Sequence, residues 1–162
     1  MISETDFRDL VGGLPQASTG KRTEFWKHVA NIANNESSLR DYLETVMTDK
    51  NFNKQFGGDI ISPDTDLRCG VILAAGYCVA RPQLARHLDI KSVVDQMMKV
   101  ARLSSFHKQI TIKCVWAISN VKESEALTDL AEDIMALICD LVKHKRLTYS
   151  KALKVVDHLR KH

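Results

Sequence analysis

Positive charge is concentrated in the last twenty residues of the chain. Residues 143–162 contain seven lysines and arginines against a single acid, Asp157, which gives this segment a net charge of +6. The whole 162-residue chain has a formal net charge of only +3, so the remainder must sum to −3. Such a regional excess of positive charge indicates a surface for a polyanion.

The spacing of these residues fits one face of a helix. Lys151, Lys154, His158 and Lys161 stand at i, i+3, i+7 and i+10, and further cations precede them in the adjoining turn. Side chains arranged in this way can follow a phosphate backbone without reading the bases. The candidate DNA-binding residues are Lys143, Lys145, Arg146, Lys151, Lys154, His158, Arg160 and Lys161. The alternative is that an outer helix needs a solvated face and lysine supplies it.

A secondary basic patch in the middle of the chain would extend this surface. Its candidate members are Arg81, Arg86, His87 and Lys91. No base-reading motif accompanies either set, so the sequence predicts contacts to the DNA backbone only.

Catalytic and metal-binding patterns are missing from the sequence. It has no G-x-S-x-G motif and no glycine-rich phosphate loop, and its paired acids fall on polar helix faces. The four cysteines form no C-x-x-C pair, so we expect buried free thiols instead of zinc ligands at Cys69, Cys78, Cys114 and Cys139. We therefore expect no enzyme activity, cofactor, metal or small-molecule substrate.

Composition is ordinary for a globular protein, with 44% hydrophobic and 27% charged residues. The longest apolar run, residues 71–79, is too short to span a bilayer. The N-terminus carries acids where a signal peptide needs a basic flank. The sequence thus predicts a cytosolic or nuclear protein without a membrane partner.

Two strongly apolar stretches organise the predicted elements. Residues 66–79 carry no charge after Val71, and residues 110–118 are apolar around most of a helix. Both read as buried helices, although the first has a strand as its rival interpretation. Amphipathic helices are predicted near 90–101 and 124–143, and a last one opens at Thr148. Its predicted inner face is Tyr149, Ala152, Leu153, Val156 and Leu159.

The candidate helix starts recur with the period of a known repeat architecture. Asp64, Ser105 and Thr148 are separated by 41 and 43 positions, within the roughly 40–47 residues of HEAT and armadillo repeats. The prediction is an all-α, HEAT/armadillo-like helical repeat (α-solenoid) of about seven to nine helices. An irregular all-α globule stays open as the alternative. We expect a partly mobile lead-in over 1–22 and a single repeat domain over 23–162, the first part of a longer array.

The two apolar helices also carry a family resemblance. Residues 73–82 (Leu-Ala-Ala-Gly-Tyr-Cys-Val-Ala-Arg-Pro) and 113–119 (Lys-Cys-Val-Trp-Ala-Ile-Ser) resemble the start of the N-terminal helical-repeat domain of the telomere-associated Rap-interacting-factor-one (Rif) family. There, an Ala-Leu-Gly-Phe-Cys-Leu helix is followed by a proline and, one repeat later, by Ala-Leu-Trp-Val-Ile-Ser. The resemblance covers about residues 37–160.

This resemblance implies a non-enzymatic nuclear scaffold on chromosomes and telomeres. The family acts in telomere maintenance, replication timing and double-strand-break repair choice, and its N-terminal array is associated with DNA binding. Its phosphatase-recruiting motif has no usable copy here, because the similar residues 113–116 lie in a helix whose apolar side chains should be buried. Protein partners are expected as well. The competing interpretation is a HEAT/armadillo-type interaction adaptor without nucleic-acid binding.

Overall fold

A computed structural model describes residues 2–35, 38–103 and 108–161. This part of the chain is helical and contains no strand. Its α-helices are α1 (Glu4–Gly13), α2 (Thr19–Asn34), α3 (Arg40–Met47), α4 (Lys50–Ile60), α5 (Thr65–Val79), α6 (Pro82–Ala85), α7 (Ile90–Leu103), α8 (Lys108–Ser119), α9 (Ser124–Lys143) and α10 (Tyr149–Lys161). A 3₁₀ helix, Leu14–Gln16, follows α1. The predicted all-α class is confirmed, and the strand interpretation of residues 66–79 is wrong.

The chain divides into two compact units, Met1–Leu88 (unit 1) and Asp89–His162 (unit 2), where the sequence predicted a single domain over 23–162. The predicted lead-in over 1–22 contains α1 and belongs to unit 1. Its Phe7 is fully buried and stacks on Phe25, with ring centroids 5.9 Å apart. The predicted boundary at residue 22 falls inside α2, because the hydroxyl of Ser18 accepts a hydrogen bond from the Lys21 N–H and caps the helix there.

Unit 1 is organised around α5, which packs most extensively on α2. Asp64 caps α5 by accepting the Leu67 N–H at 2.8 Å. A Cβ added at Gly70 would lie 3.5 Å from the Cβ of Trp26 on α2, so this glycine marks a close approach of the two helices. Nine of the fifteen residues of α5 are buried, as its uniformly apolar sequence predicts.

The helix α4 is longer than the sequence suggested. The sequence of residues 51–59 ends with a glycine pair and predicts a one-turn helix and a loop, but the helix continues through Gly57 and Gly58. Each glycine costs roughly 1 kcal/mol of helix propensity. Tertiary packing outweighs that cost, because Phe52, Phe56 and Ile60 are buried at i, i+4 and i+8. The indole of Trp26 meets the rings of both phenylalanines edge-on.

Unit 2 consists of two helical hairpins, α7/α8 and α9/α10. The apolar α8 contacts both α7 and α10, and α9 contacts α7 and α10. Lys91 pairs with Asp129, and Arg102 pairs with Asp140 eleven residues further along both helices. These matched ion pairs show that α7 and α9 run in the same direction, as successive helices of stacked hairpins do.

The observed helix starts agree with the predicted spacing over two repeats. The helices α5 and α10 begin at Thr65 and Tyr149, which are 84 positions apart, the same separation as that of the predicted starts Asp64 and Thr148. The predicted cap of α8 at Ser104 and Ser105 lies outside the described residues. The HEAT/armadillo-like class is confirmed, with ten described α-helices against the seven to nine predicted, because short segments such as α6 are helical as well.

Candidate nucleic-acid interface

The candidate interface begins at the turn between α9 and α10. The Arg146 N–H donates to the Leu141 carbonyl at 2.8 Å, and the Lys145 N–H donates to the Val142 carbonyl at 3.0 Å. This pair of bonds is a Schellman C-cap, and it holds Lys145 at φ 57°, in the left-handed region that glycine usually occupies. The turn exposes Lys143 and Lys145 to solvent and leaves Arg146 half-buried.

The helix α10 presents three lysines along one exposed face. The Thr148 hydroxyl accepts the Lys151 N–H at 3.3 Å, so the helix starts where the sequence predicted. Lys151, Lys154 and Lys161 are exposed. Helical geometry puts them on one side of α10 over a length of about 15 Å. We call these three residues the lysine face.

The cations of α10 and the preceding turn differ from those of α7 in whether they form ion pairs. The α7 side chains Lys91, Lys99 and Arg102 each pair with an aspartate. Six exposed cations from the turn and α10 form no ion pair with any described residue. They are Lys143, Lys145, Lys151, Lys154, Arg160 and Lys161. The single acid on this part of the chain, Asp157, stands on the same side of α10 as Lys154 and Lys161 but forms no ion pair with either.

His158 does not share the lysine face as predicted. Its ring is half-buried, and its Nε2 lies 2.5 Å from the carbonyl oxygen of Val121, after α8. The spacing i+7 from Lys151 brings His158 close to that face, but three residues after the buried Val155 it also borders the packed side of α10. Its role in this structure is to anchor α10 to the loop after α8.

The packed side of α10 also differs from the prediction. Its buried residues are Ala152 and Val155. Tyr149 and Leu153, predicted to point inward, are 70% and 46% exposed. The helix carries two adjacent apolar stripes, one with Tyr149, Leu153 and Val156 and the other with Ala152, Val155 and Leu159. The helices α8 and α9 cover only the second.

The secondary basic patch is largely engaged within unit 1. The Arg81 guanidinium donates to the carbonyls of Ala33 and Asn34 at the C-terminus of α2, through Nε at 3.1 Å and Nη2 at 2.8 Å. Arg86 and His87 both contact the Glu44 carboxylate. Hydrogen bonds from Arg86, then from His87 and Gln83, lower the pKa of Glu44 from 4.5 to about 2.

Lys91, the fourth member of that patch, belongs to unit 2 and is paired as well. Its hydrogen bond with Asp129 raises the pKa of the lysine. Because these four side chains are already engaged with carboxylates and backbone carbonyls, the proposed binding surface does not include them. Their contact with DNA stays a prediction.

A groove in unit 1 has more acids than lysines and arginines among its lining residues. A groove of about 770 Å³ beside α1 and α2 is lined by Asp6, Asp9, Glu24, Lys21 and His28 among others. Glu24 pairs with Lys21 at 3.4 Å and lies 3.9 Å from His28. The negative excess of this groove makes it unsuited to a phosphate backbone.

Sequence reasoning missed a buried carboxylate. Asp59 is 3% exposed and accepts from Arg22 Nε at 3.0 Å, Trp26 Nε1 at 2.9 Å and Gln55 Nε2 at 2.9 Å. The only local signal was Gln55 four residues before Asp59, since Arg22 and Trp26 are more than thirty residues away. Full satisfaction of its oxygens makes Asp59 a structural group that ties α2 to α4.

The four cysteines differ in burial. Cys78 and Cys114 are buried as predicted, and burial raises the pKa of Cys78 to about 12. Cys69 is half-buried. Cys139 is exposed because it lies off the buried stripe of α9, so the expectation of a buried thiol is wrong for Cys139. Within the described ranges, no three potential metal ligands cluster. No described helix is both long and apolar enough to cross a bilayer.

Comparison with known proteins gives a structural match alone. No protein-family model matches the chain, and no curated protein does. The fold is similar to the crystal structure of an engineered protein from the Northeast Structural Genomics Consortium, with a TM-score of 0.74 and 14% identity over 95% of this chain. The chain spans 62% of the length of that engineered protein. At this identity the likeness concerns the fold, and the Rif-family resemblance stays a prediction.

Proposed function

We propose that this chain is a non-enzymatic scaffold module that binds duplex DNA without sequence preference. The proposed contact surface is the lysine face together with Lys143 and Lys145 in the preceding turn. The observation that carries the proposal is that these cations are exposed, stand together on α10 and the turn before it, and form no ion pair with any described residue, while the cations of α7 in the same unit are paired.

Backbone contacts of this kind have a defined physical signature. Each lysine that neutralises a phosphate releases condensed counterions, so binding weakens steeply as salt rises. Lysine is suited to this task because its ammonium contacts phosphate as a point charge without demanding one geometry. With no base-reading side chain proposed, we expect similar affinity for unrelated duplex sequences.

The biological setting of the proposal follows from the family resemblance alone. A Rif-like N-terminal array would act in the nucleus, on chromosomes and telomeres, in telomere maintenance, replication timing and double-strand-break repair choice. Protein partners would share the scaffold. In this setting weak and sequence-independent DNA contacts would retain the module on chromatin.

Fluorescence anisotropy with a labelled duplex at two salt concentrations tests the proposal. Charge reversal of the lysine face, in a Lys151→Glu, Lys154→Glu, Lys161→Glu variant, should abolish binding. The matched control reverses three exposed lysines of unit 1, Lys27, Lys50 and Lys54, and changes the net charge equally. If both variants lose affinity to the same extent, net charge alone attracts DNA and the proposed surface is wrong.

The second candidate function is a protein-interaction adaptor. The exposed side chains of Tyr149 and Leu153 favour it, because large apolar groups left in water on a helix suit a protein partner. An adaptor that does not bind nucleic acid would show no duplex affinity at either salt concentration.

A further inference from the structure

The helix α10 carries a second exposed face, which the proposed DNA contact does not use. Tyr149, Leu153, Val156 and Arg160 stand at i, i+4, i+7 and i+11, so they form one stripe along the helix. Tyr149 is 70% exposed and Leu153 46%, and Val156 is half-buried. At about 100° per residue, this stripe lies roughly 140° around the helix from the lysine face.

Unit 2 itself shows how such a stripe is covered. The helix α7 buries its apolar residues, among them Val94 and Met97, and α9 lies along it. Ion pairs join the two helices at points eleven residues apart: the cations Lys91 and Arg102 are on α7, and the acids are on the covering helix α9. Two neighbouring helices of unit 2 thus already combine buried apolar side chains with cations on one helix that pair with acids on the other.

The α10 stripe offers the same chemistry with nothing described covering it. Its apolar side chains end at Arg160, and Lys145 lies just before Tyr149, so cations stand at both ends. Asp157 is the single acid in residues 143–162. We propose that this stripe docks an amphipathic helix of a protein partner, with apolar residues against Tyr149, Leu153 and Val156 and carboxylates beside Arg160 and Lys145.

Charge decides among the possible occupants. A second copy that presented its own α10 stripe would bring cations against cations, which is unfavourable across an interface. Duplex DNA supplies the negative charge, but its phosphate backbone offers no apolar surface to Tyr149 and Leu153. An acidic amphipathic helix satisfies both features of the stripe, in the helix-in-groove manner of many protein partners.

The probes are two stapled helical peptides with the same leucine stripe, one with glutamates and the other with lysines on its flanks. Binding to the full chain is followed by fluorescence anisotropy. The glutamate peptide should bind at least about tenfold more tightly than the lysine peptide. A Tyr149→Gln, Leu153→Gln variant should lose about tenfold in affinity for the glutamate peptide and keep its helical circular dichroism, since both side chains are exposed.

Variants of the lysine face separate this inference from the proposed function. Lys151→Gln, Lys154→Gln, Lys161→Gln should lower DNA affinity but leave peptide affinity within about twofold, because the helix is wider than the screening length at physiological salt. Equal binding of both peptides, or no binding of either, would overturn the proposal. So would a dimer in sedimentation that the Tyr149→Gln, Leu153→Gln variant abolishes, since the occupant would then be a second copy.

Discussion

The two units use their positive side chains differently. Unit 1 has ten lysines and arginines against eleven acids, and unit 2 has thirteen against nine. In unit 1 the guanidinium of Arg22 binds Asp59, Arg81 binds the end of α2, and Arg86 binds Glu44. In unit 2, α7 follows the same pattern, but six exposed cations of α10 and the preceding turn form no ion pair with any described residue: Lys143, Lys145, Lys151, Lys154, Arg160 and Lys161.

This difference teaches that a candidate phosphate surface is identified by unpaired cations that stand together, as on α10 and its preceding turn, because Lys27, Lys50 and Lys54 of unit 1 are also exposed and form no ion pair with a described residue. A paired cation must break its ion pair with a carboxylate before it can bind a phosphate, so the net free energy that it contributes to binding is small. An unpaired, exposed lysine gives up only water and mobile counterions. The variants below therefore test whether cations of unit 1 act on stability and cations of α10 act on binding.

The largest expected effect comes from removing the carboxylate inside unit 1. Asp59→Ala leaves Arg22 and the Trp26 N–H without their partner in a buried site, so we expect a loss of about 3 kcal/mol in the free energy of unfolding. Urea denaturation followed by circular dichroism measures it. Asp9→Ala, at an exposed carboxylate, is the matched control. A loss below about 1 kcal/mol would show that Asp59 does not tie α2 to α4.

A pair of single variants makes the comparison sharper. Arg81→Gln removes charged hydrogen bonds to the end of α2 and should lower the free energy of unfolding by about 1.5 kcal/mol. It should leave duplex affinity unchanged. Lys154→Gln should weaken DNA binding while stability changes by less than about 0.5 kcal/mol. The reverse pattern would refute the assignment of roles.

The Glu44 cluster predicts a pH dependence in unit 1. Its pKa falls from 4.5 to about 2 on folding, so the ionised carboxylate stabilises the fold at pH values above 4.5. That contribution is lost as the pH falls from 4.5 toward 2. Acid titration of stability should therefore be shallower in Glu44→Gln than in the wild-type protein over this range. Parallel curves would contradict the contacts with Arg86 and His87.

The smallest expected effect concerns the turn before α10. Lys145 adopts a left-handed conformation that glycine adopts without strain. Lys145→Gly should raise the free energy of unfolding by about 0.5–1 kcal/mol. Lys145→Gln removes the same charge without relieving the backbone, so it should not raise stability. Both variants should bind the duplex more weakly and to the same extent, because each lacks the ammonium group.

Sequence patterns were sufficient for helices whose environment is uniform. The stretch from Val71 to Val79 has no charged side chain, and it forms the buried helix that its sequence favoured over a strand. The amphipathic helix predicted over 124–143 is α9, because its apolar spacing allows one buried face. Such elements are determined by their own residues.

Long-range pairing could not be predicted. Asp59 finds Arg22 across 37 positions, and Glu44 finds Arg86 and His87 across 42 and 43. The face of α10 that is buried was also undetermined, since Tyr149, Leu153 and Val156 make as good a stripe as Ala152, Val155 and Leu159. Which stripe is buried depends on where α8 and α9 lie, and the sequence of α10 alone does not determine those positions.

The salt dependence of duplex binding tests the central claim most directly. The slope of log affinity against log salt concentration is measured for the wild-type protein and for Lys151→Gln, Lys154→Gln, Lys161→Gln. If these three side chains each neutralise one phosphate, the variant slope should be smaller by about 2.7. Equal slopes for the two proteins would show that the lysine face makes no phosphate contact and would contradict the account.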